Sequence, residues 1–381
     1  MKAVLLLATL ETKSEEIGYL QNVLETSGVE VNLLDISLGS NGETWEASQK
    51  ITQMNKVVQE IATRINKNHL TDSSAVLGLG GGTGGEIILQ ILRQLPFDFP
   101  KILVTTLPFD PRFAVSDNSI VLIPTLSDIE GLNSSLRHVL ENAAHMLEGL
   151  ARHEVQSVLA TKSIGLTNLG VTQNAARAII SRLRQQGHET TSFHANGFGG
   201  AAFSRFAKAG AFTGVIDMTV HEITRIHVAG VHANMPDRFT AAGHLPCVML
   251  PGGLNFIGLG EIELVPPHFL ERRHYQHSGY FTHVKMSKEE IELSCTALAH
   301  ALNQGSGPTR LVLPMGGFSS EDCPGGAIED RELRNIAAEC FKGAAKSYDV
   351  IMLDSHINDE ETADFAVNAL MEALQEDSQY E

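Results

Sequence analysis

The chain has 381 residues, 43% of them hydrophobic, with 45 acidic against 28 basic side chains and a formal net charge of −17. That length accommodates two or three domains, each with its own core. The acidic balance excludes the basic footprint of a nucleic-acid binder, and no apolar run is long enough for a bilayer-spanning helix, so neither nucleic acid nor membrane is expected as a partner.

Residues 3–8, AVLLLA, read as a buried first strand and not a signal peptide, because an acidic segment follows them. Thr9–Lys13 is the loop at the strand's end. Ser14 is then a natural N-cap, with Glu15 and Glu16 in the first helical turn. Gly28 stops that helix, residues 29–36 form the next strand, residues 39–43 a polar loop, and residues 48–68 a helix. The following stretch, AVLGLGGGTGGEIILQILRQL (75–95), is the one around which the chain is organised. An apolar strand runs into Gly80, Gly81, Gly82, Thr83, Gly84 and Gly85, and Ile87, Ile88, Ile91, Leu92 and Leu95 then recur with helical spacing. Glycines between a strand and a helix leave amide N–H groups uncovered at the positive end of the helix, which suits an anion. Gly80, Gly82 and Gly85 satisfy G-x-G-x-x-G. No Lys-Ser or Lys-Thr pair makes the loop a Walker A sequence, and it does not follow the first strand. Glu86 beside the loop calls for a cation such as magnesium if a phosphate binds.

Strands at 101–107 and 120–123 and a helix at 132–151 complete an alternating α/β pattern, which implies a mainly parallel sheet. Ligands of such sheets gather at the carboxyl ends of the strands. That edge carries Thr12 and Lys13, the glycine loop, Thr105, Thr106 and Asp128, whose hydroxyls, ammonium and carboxylate suit phosphate, sugar or hydrated metal. A linker at 154–163 then restarts the alternation, so the chain divides into residues 1–155 and 156–381. In the second half a strand at 189–194 ends in Asn196-Gly197-Phe198-Gly199-Gly200, another glycine-rich turn into a helix. Two Rossmann-like α/β subdomains with a cleft between them are the inferred architecture.

His221-Glu222-Ile223-Thr224-Arg225 is not a zincin motif, since Arg225 stands where the second histidine ligand belongs. Residues 266–283 read as irregular, and His268, His274, His277 and His283 invite a metal reading without any regular ligand spacing. Cys247, Cys295, Cys323 and Cys340 form no C-x-x-C pair and no disulfide framework, which fits a reduced cytoplasm. A long loop at 314–330, a helix at 333–343, a strand at 350–354 and a last helix after Ser355–Asp359 close the chain.

Several separated stretches together resemble a known family. They are ATLETKSEE, GLGGGTGGEIILQ, LSDIEGLNSSLRHVL, FHANGFGGAAF, GVIDMTVHEI and DSHINDEETA, in this order and nearly end to end. The chain is similar in them to the ATP-binding domain of the tomato mosaic virus resistance protein and its uncharacterised bacterial relatives. The resemblance implies two Rossmann-like subdomains, ATP with Mg2+, and a homo-oligomer, in particular a dimer. Ala201 replaces an arginine usual in that family, and Glu86 replaces a small or polar residue.

The leading functional reading is therefore a cytoplasmic nucleotide-binding protein whose phosphates lie on the Gly80–Gly85 loop. A second is an enzyme acting on a small anionic or carbonyl metabolite, with His194, Glu222 and His356 as acid–base groups and Asp354 and Asp359 beside His356. A third is a dimeric scaffold stabilised by nucleotide.

Overall fold

The structure is a computed structural model that describes residues 2–40, 45–108, 110–153, 157–230 and 233–377, with the side chains of 113 and 114 excepted. Part of the polar loop expected at 39–43, and the expected boundary at 155/156, lie outside the described residues. The chain divides into two compact units, residues 1–158 and 159–381.

Unit 1 alternates strand and helix: β1 (Ala3–Ala8), α1 (Leu10–Thr26), β2 (Val31–Asp35), α2 (Ala47–Asn68), β3 (Ser73–Gly80), α3 (Gly82–Gln94), β4 (Lys101–Thr105), α4 (Arg112–Val115), β5 (Ile120–Pro124) and α5 (Ser134–Arg152). Its five strands are all parallel in the order β2-β1-β3-β4-β5. Because side chains alternate across a strand, β1 sends Val4, Leu6 and Ala8 into one core and Leu5 and Leu7 into the other. The first core is covered by α1 and α5, the second by α2 and α3. Helices on both faces explain why these strands are continuous apolar runs.

Unit 2 contains β6 (Ser163–Asn168), α6 (Gln173–Gln185), β7 (Thr190–His194), α7 (Phe198–Lys208), β8 (Phe212–Thr219), α8 (Glu222–Thr224), β9 (Cys247–Gly252), β10 (Phe256–Leu259), α9 (Pro267–Leu270), β11 (His274–Ser278), β12 (Phe281–Lys285), α10 (Lys288–Leu302), β13 (Thr309–Pro314), α11 (Arg331–Ala344), β14 (Asp349–Leu353) and α12 (Glu360–Asp377). Six parallel strands run in the order β7-β6-β8-β9-β13-β14, the same second-first-third-fourth sequence as in unit 1. The fold is thus α/β with two mainly parallel, Rossmann-like sheets.

Three local differences from the sequence reading matter. The helix expected from Ser14 begins at Leu10, with a kink at Lys13 (φ −128°, ψ 24°). The glycine stretch is less a loop than the first turn of α3, which starts at Gly82. Residues 266–283 are not irregular: β12 pairs with β10 on one side and β11 on the other in a three-stranded antiparallel sheet. The order β2-β1-β3 makes β1/β3 the point where the chain reverses its direction of winding, and β6/β8 is the equivalent in unit 2. Crevices at such points are where open α/β sheets bind ligands.

Candidate functional site

At the β1/β3 reversal the glycine turn meets the start of α1. The first intrahelical bond of α3 runs from Gly85 N–H to Gly81 O at 2.7 Å. The amides of Gly82, Thr83 and Gly84 come before it and have no acceptor one turn back. Whether these glycines serve packing or access can be read from what a β-carbon at each would meet. At Gly78 it would lie 2.1 Å from Ile88 Cγ2, at Gly80 2.5 Å from the Gly84 carbonyl carbon, and at Gly85 2.7 Å from Thr105 Oγ1. Those three are glycines because strand and helix approach closely. Among the described residues nothing lies within 4 Å at Gly81, only Pro108 at 3.9 Å at Gly82, and only Thr9 at 3.7 Å at Gly84. None of these has a positive φ. Among the described residues neither packing nor a positive φ demands glycine at 82 and 84, where the helix-terminal amides are open.

A cavity of about 360 Å³ opens beside this turn, lined by Thr9, Glu11, Thr12, Leu38, Ser40, Trp45, Lys50, Thr83, Gly84 and Ile87. Lys50 Nζ donates to Thr83 Oγ1 at 2.9 Å, and the hydroxyls of Thr9 and Thr12 are 3.0 Å apart. The neighbouring helix start is closed from within. Asp35 Oδ1 accepts from Leu10 N–H at 3.1 Å, and Ser37 Oγ from Glu11 N–H at 3.1 Å. Desolvation pushes the Asp35 carboxyl upward, but the Ser37 hydroxyl and the Leu10 and Ser37 amides outweigh it and hold the group below its ordinary range. Among the described residues, the start of α1 has its first amides capped and that of α3 has them unspent beside the cavity.

The expected phosphate ligands are thereby sorted. Thr12 and the glycine turn border the cavity. Lys13 does not: past the kink, its ammonium donates to Ile129 O and pairs with Glu130 at 3.0 Å. Thr105 is fully buried beneath Gly85, and Thr106 follows it half-buried. Asp128 lies past β5, exposed, accepting from the Ile129 amide at 2.8 Å. The sequence reading missed Lys50 and Trp45. A lysine in the first turn of α2, which carries no acid there, opposes the helix dipole, and that local conflict was the available signal.

The second glycine turn is occupied by the protein itself. Glu222 Oε1 accepts from Gly197 N–H at 2.6 Å and from Gly200 N–H at 3.1 Å, while Glu222 Oε2 accepts from Arg238 Nε. Arg238 also grips Asp217 through both terminal nitrogens, at 2.6 and 2.8 Å, and donates to Thr219 O at 3.1 Å. All three ionic side chains are at most 3% exposed. Burial alone would lower the arginine's pKa, but the charges of Asp217 and Glu222 outweigh it and keep the guanidinium protonated. A β-carbon at Gly199 would lie 2.0 Å from His194 O, and one at Gly200 2.2 Å from Glu222 Oε1. Asn196 accepts from Gly199 N–H at 3.3 Å. Asn196, Gly199 and Gly200 are thus engaged in holding the turn and its internal carboxylate.

The three acid–base residues do not form one group: His194 feels the charge of Glu222 beside the same glycine turn, while His356 stands apart. His194 ends β7 and His356 follows β14, at opposite edges of six strands, about 24 Å apart by five spacings of ~4.8 Å. Glu222 is spent on Arg238 and two amides. His356 Nδ1 accepts from Asn358 N–H at 3.1 Å, so Nε2 carries the proton and donates to Ser319 O at 2.9 Å. Asp359 accepts from the His356 main-chain amide at 2.7 Å, not from the ring, and Asp354 is exposed.

The histidine-rich segment builds a ring stack. Phe256 lies between His221 (4.6 Å) and His283 (4.1 Å), and His283 stacks on His277 (4.8 Å). The Tyr275 hydroxyl and His283 Nδ1 are hydrogen-bonded at 2.8 Å. Burial, reinforced by the neighbouring His221 and His277, lowers His283 to about 3. Among the described residues no group of three or more His, Cys, Asp or Glu side chains is arranged to hold a metal. No helix among them is long and apolar enough to cross a membrane.

Comparison with known proteins gives a family and relatives. Residues 41–156 match the N-terminal domain, and residues 161–374 the C-terminal domain, of the uncharacterised protein family UPF0261. A UPF0261 protein of Rhizobium meliloti is 31% identical over 97% of this chain and 98% of its own length. One from Clostridium tetani is 30% identical over 95% and 96%. The ToMV susceptible protein tm-1(GCR26) of Solanum lycopersicum is 29% identical over 85% of this chain and 44% of its own length.

Proposed function

Given that the chain belongs to the uncharacterised protein family UPF0261, we propose that unit 1 binds a phosphate-bearing small molecule, a nucleotide foremost, at the β1/β3 reversal. The observation that carries this reading is the pair of facts about Gly82 and Gly84. Among the described residues their amides are unspent at a helix start, and the space at their β-carbon positions is open. Lys50 adds a positive charge beside Thr83, and the hydroxyls of Thr9, Thr12 and Thr83 are suited to phosphate oxygens. Trp45 and Leu38 supply an aromatic and an aliphatic wall to the same cavity. A volume of about 360 Å³ is of the size that small ligands occupy.

ATP is the ligand that the family resemblance implies, and it is the first to test. Magnesium enters as the counter-ion of a polyphosphate, because the described residues offer no three-ligand metal group of their own. Titration calorimetry with ATP and magnesium is expected to show binding that Gly82→Asp removes. Among the described residues the β-carbon of that substitution meets only Pro108 at 3.9 Å, and its carboxylate brings a negative charge to the open amides. Unchanged binding in that variant would reject the location.

A further inference from the structure

Two of the four cysteines lie on neighbouring helices of unit 2. Cys295 is buried on α10 and Cys340 is partly exposed on α11, and both thiols are free. Cys340 Sγ lies 3.6 Å from Thr296 Oγ1 and 3.9 Å from Glu292 O. Those two α10 residues stand immediately after Cys295 and three before it, so Cys340 Sγ lies on the turn of α10 that carries Cys295. We propose that Cys295 and Cys340 form a peroxide-responsive dithiol that closes into an interhelical disulfide.

The assignment of roles follows from surroundings. The hydrogen bond from Cys295, with that from the Thr296 hydroxyl, outweighs partial burial and brings Cys340 down to about 6. Burial first, and then contact with Cys340, raises Cys295 well above its ordinary value. Cys340 is thus the thiolate that solvent reaches, and Cys295 the protonated thiol held behind it. The oxidant is a hydroperoxide. The Cys340 thiolate attacks the distal peroxide oxygen, the O–O bond breaks, and an alkoxide or hydroxide leaves with the electron pair, giving Cys340–SOH. Cys295 sulfur then attacks the Cys340 sulfur. The S–S bond forms, the S–O bond breaks, and the departing hydroxide takes the Cys295 proton as water. Two thiols supply two electrons to one peroxide, and thiol reductants reverse the change.

The other cysteines serve as internal controls. Cys247 is buried, and Cys323 is partly exposed with its thiol donating to Ser320 O at 3.3 Å. The test treats the reduced full-length protein with hydrogen peroxide and maps the peptides without reduction. The expected product has lost two hydrogens, carries a peptide pair joining Cys295 to Cys340, and reverts with dithiothreitol. In Cys295→Ala, Cys340 is expected to accumulate as a sulfenic acid trapped by dimedone. In Cys323→Ser the bridge still forms. Iodoacetamide labelling of Cys340 is expected to reach half its plateau near pH 6. Oxidation of Cys323 ahead of the 295–340 pair, or a Cys340 labelling rate still climbing above roughly pH 8.5, the region of an ordinary thiol, would overturn the proposal.

Discussion

The two glycine turns use the same local idiom and come to opposite ends. Each follows a parallel strand and opens a helix whose first amides need acceptors. At Gly197–Gly200 the acceptor is Glu222, held in place by Arg238, which is in turn held by Asp217. At Gly82–Gly84 no side chain among the described residues plays that part, and a cavity with Lys50 at its wall lies there. The unit 2 reversal is also covered: Leu169 and Val171, which follow β6, pack with Phe256, Ile328 and Tyr275. In unit 2 the glycine-rich strand–helix turn holds a carboxylate of the chain itself. The internal carboxylate shows what this geometry can hold, and the proposal for unit 1 is that an external anion takes the same place.

The largest expected effect comes from breaking the filled turn. Arg238→Met leaves two buried carboxylates without their counter-charge, and losing one member of such a network costs about 3–5 kcal/mol. Hydrogen exchange is expected to accelerate throughout β8, α7 and β9, while unit 1 keeps its protection. Trp45, the single tryptophan, lies in unit 1, so its unfolding transition followed by fluorescence is expected to stay in place. Protection of β8 equal to that of the parent chain would mean that Glu222 and Asp217 are not held by Arg238.

Next in size is the loss of the external anion. Gly82→Asp is expected to weaken nucleotide binding roughly 100-fold, about 3 kcal/mol, which is what a charge-assisted hydrogen bond to an amide contributes at its upper end. Trp45 fluorescence or calorimetry measures it. Lys50→Ala is expected to weaken the same binding about tenfold, and the difference between parent and variant shrinks as salt screens the lysine. A Lys50 effect independent of ionic strength would mean that the side chain acts by packing and not by charge.

Much of this contrast was written locally and part of it was not. The strands, their parallel pairing and both glycine turns follow from apolar runs and glycine position, because those are short-range properties. The fate of each turn depends on residues 22 to 41 positions away in sequence: Glu222 and Arg238 for the second, Lys50 for the first. Nothing in HEITR announces a buried cap, since the partner Arg238 sits in an unremarkable loop. His356 and His194 each occupy a strand end, and only the strand order, β7 at one edge and β14 at the other, separates them. Residues 274–278, HYQHS, lack the apolar alternation of a half-buried strand. They are a strand because ring stacking and the Tyr275–His283 hydrogen bond replace aliphatic packing.

That ring stack gives the comparison a pH dependence. His283 is depressed to about 3 in the folded unit by burial and by His221 and His277, against an unperturbed value of about 6.5 in the unfolded chain. Between those limits the unfolded state binds the extra proton, so stability rises with pH, at up to roughly 1.4 kcal/mol per pH unit. Unit 2 is expected to be unaffected above pH 6.5 and to weaken as pH falls from there toward 3. His283→Phe is expected to flatten that slope in denaturant titrations at stepped pH. A slope unchanged in the variant would place the acid-sensitive group elsewhere.

The smallest effect is the most discriminating. If glycine at 84 is there for the ligand and not for the fold, replacing it with alanine is harmless or better to the free protein. Gly84 is in the first turn of α3 at a conformation alanine adopts, and its β-carbon meets Thr9 at an ordinary 3.7 Å. Helix propensity and the reduced entropy of the unfolded chain then favour Gly84→Ala by about 0.5–1 kcal/mol. Gly200→Ala drives a β-carbon to 2.2 Å from Glu222 Oε1 and is expected to cost about 1–3 kcal/mol, as overpacking does. Thermal unfolding of the two variants thus shifts in opposite directions for the same chemical change at matching places in two turns. A loss of stability in both would mean that Gly84 is fixed by packing, and its open space would no longer point to a ligand.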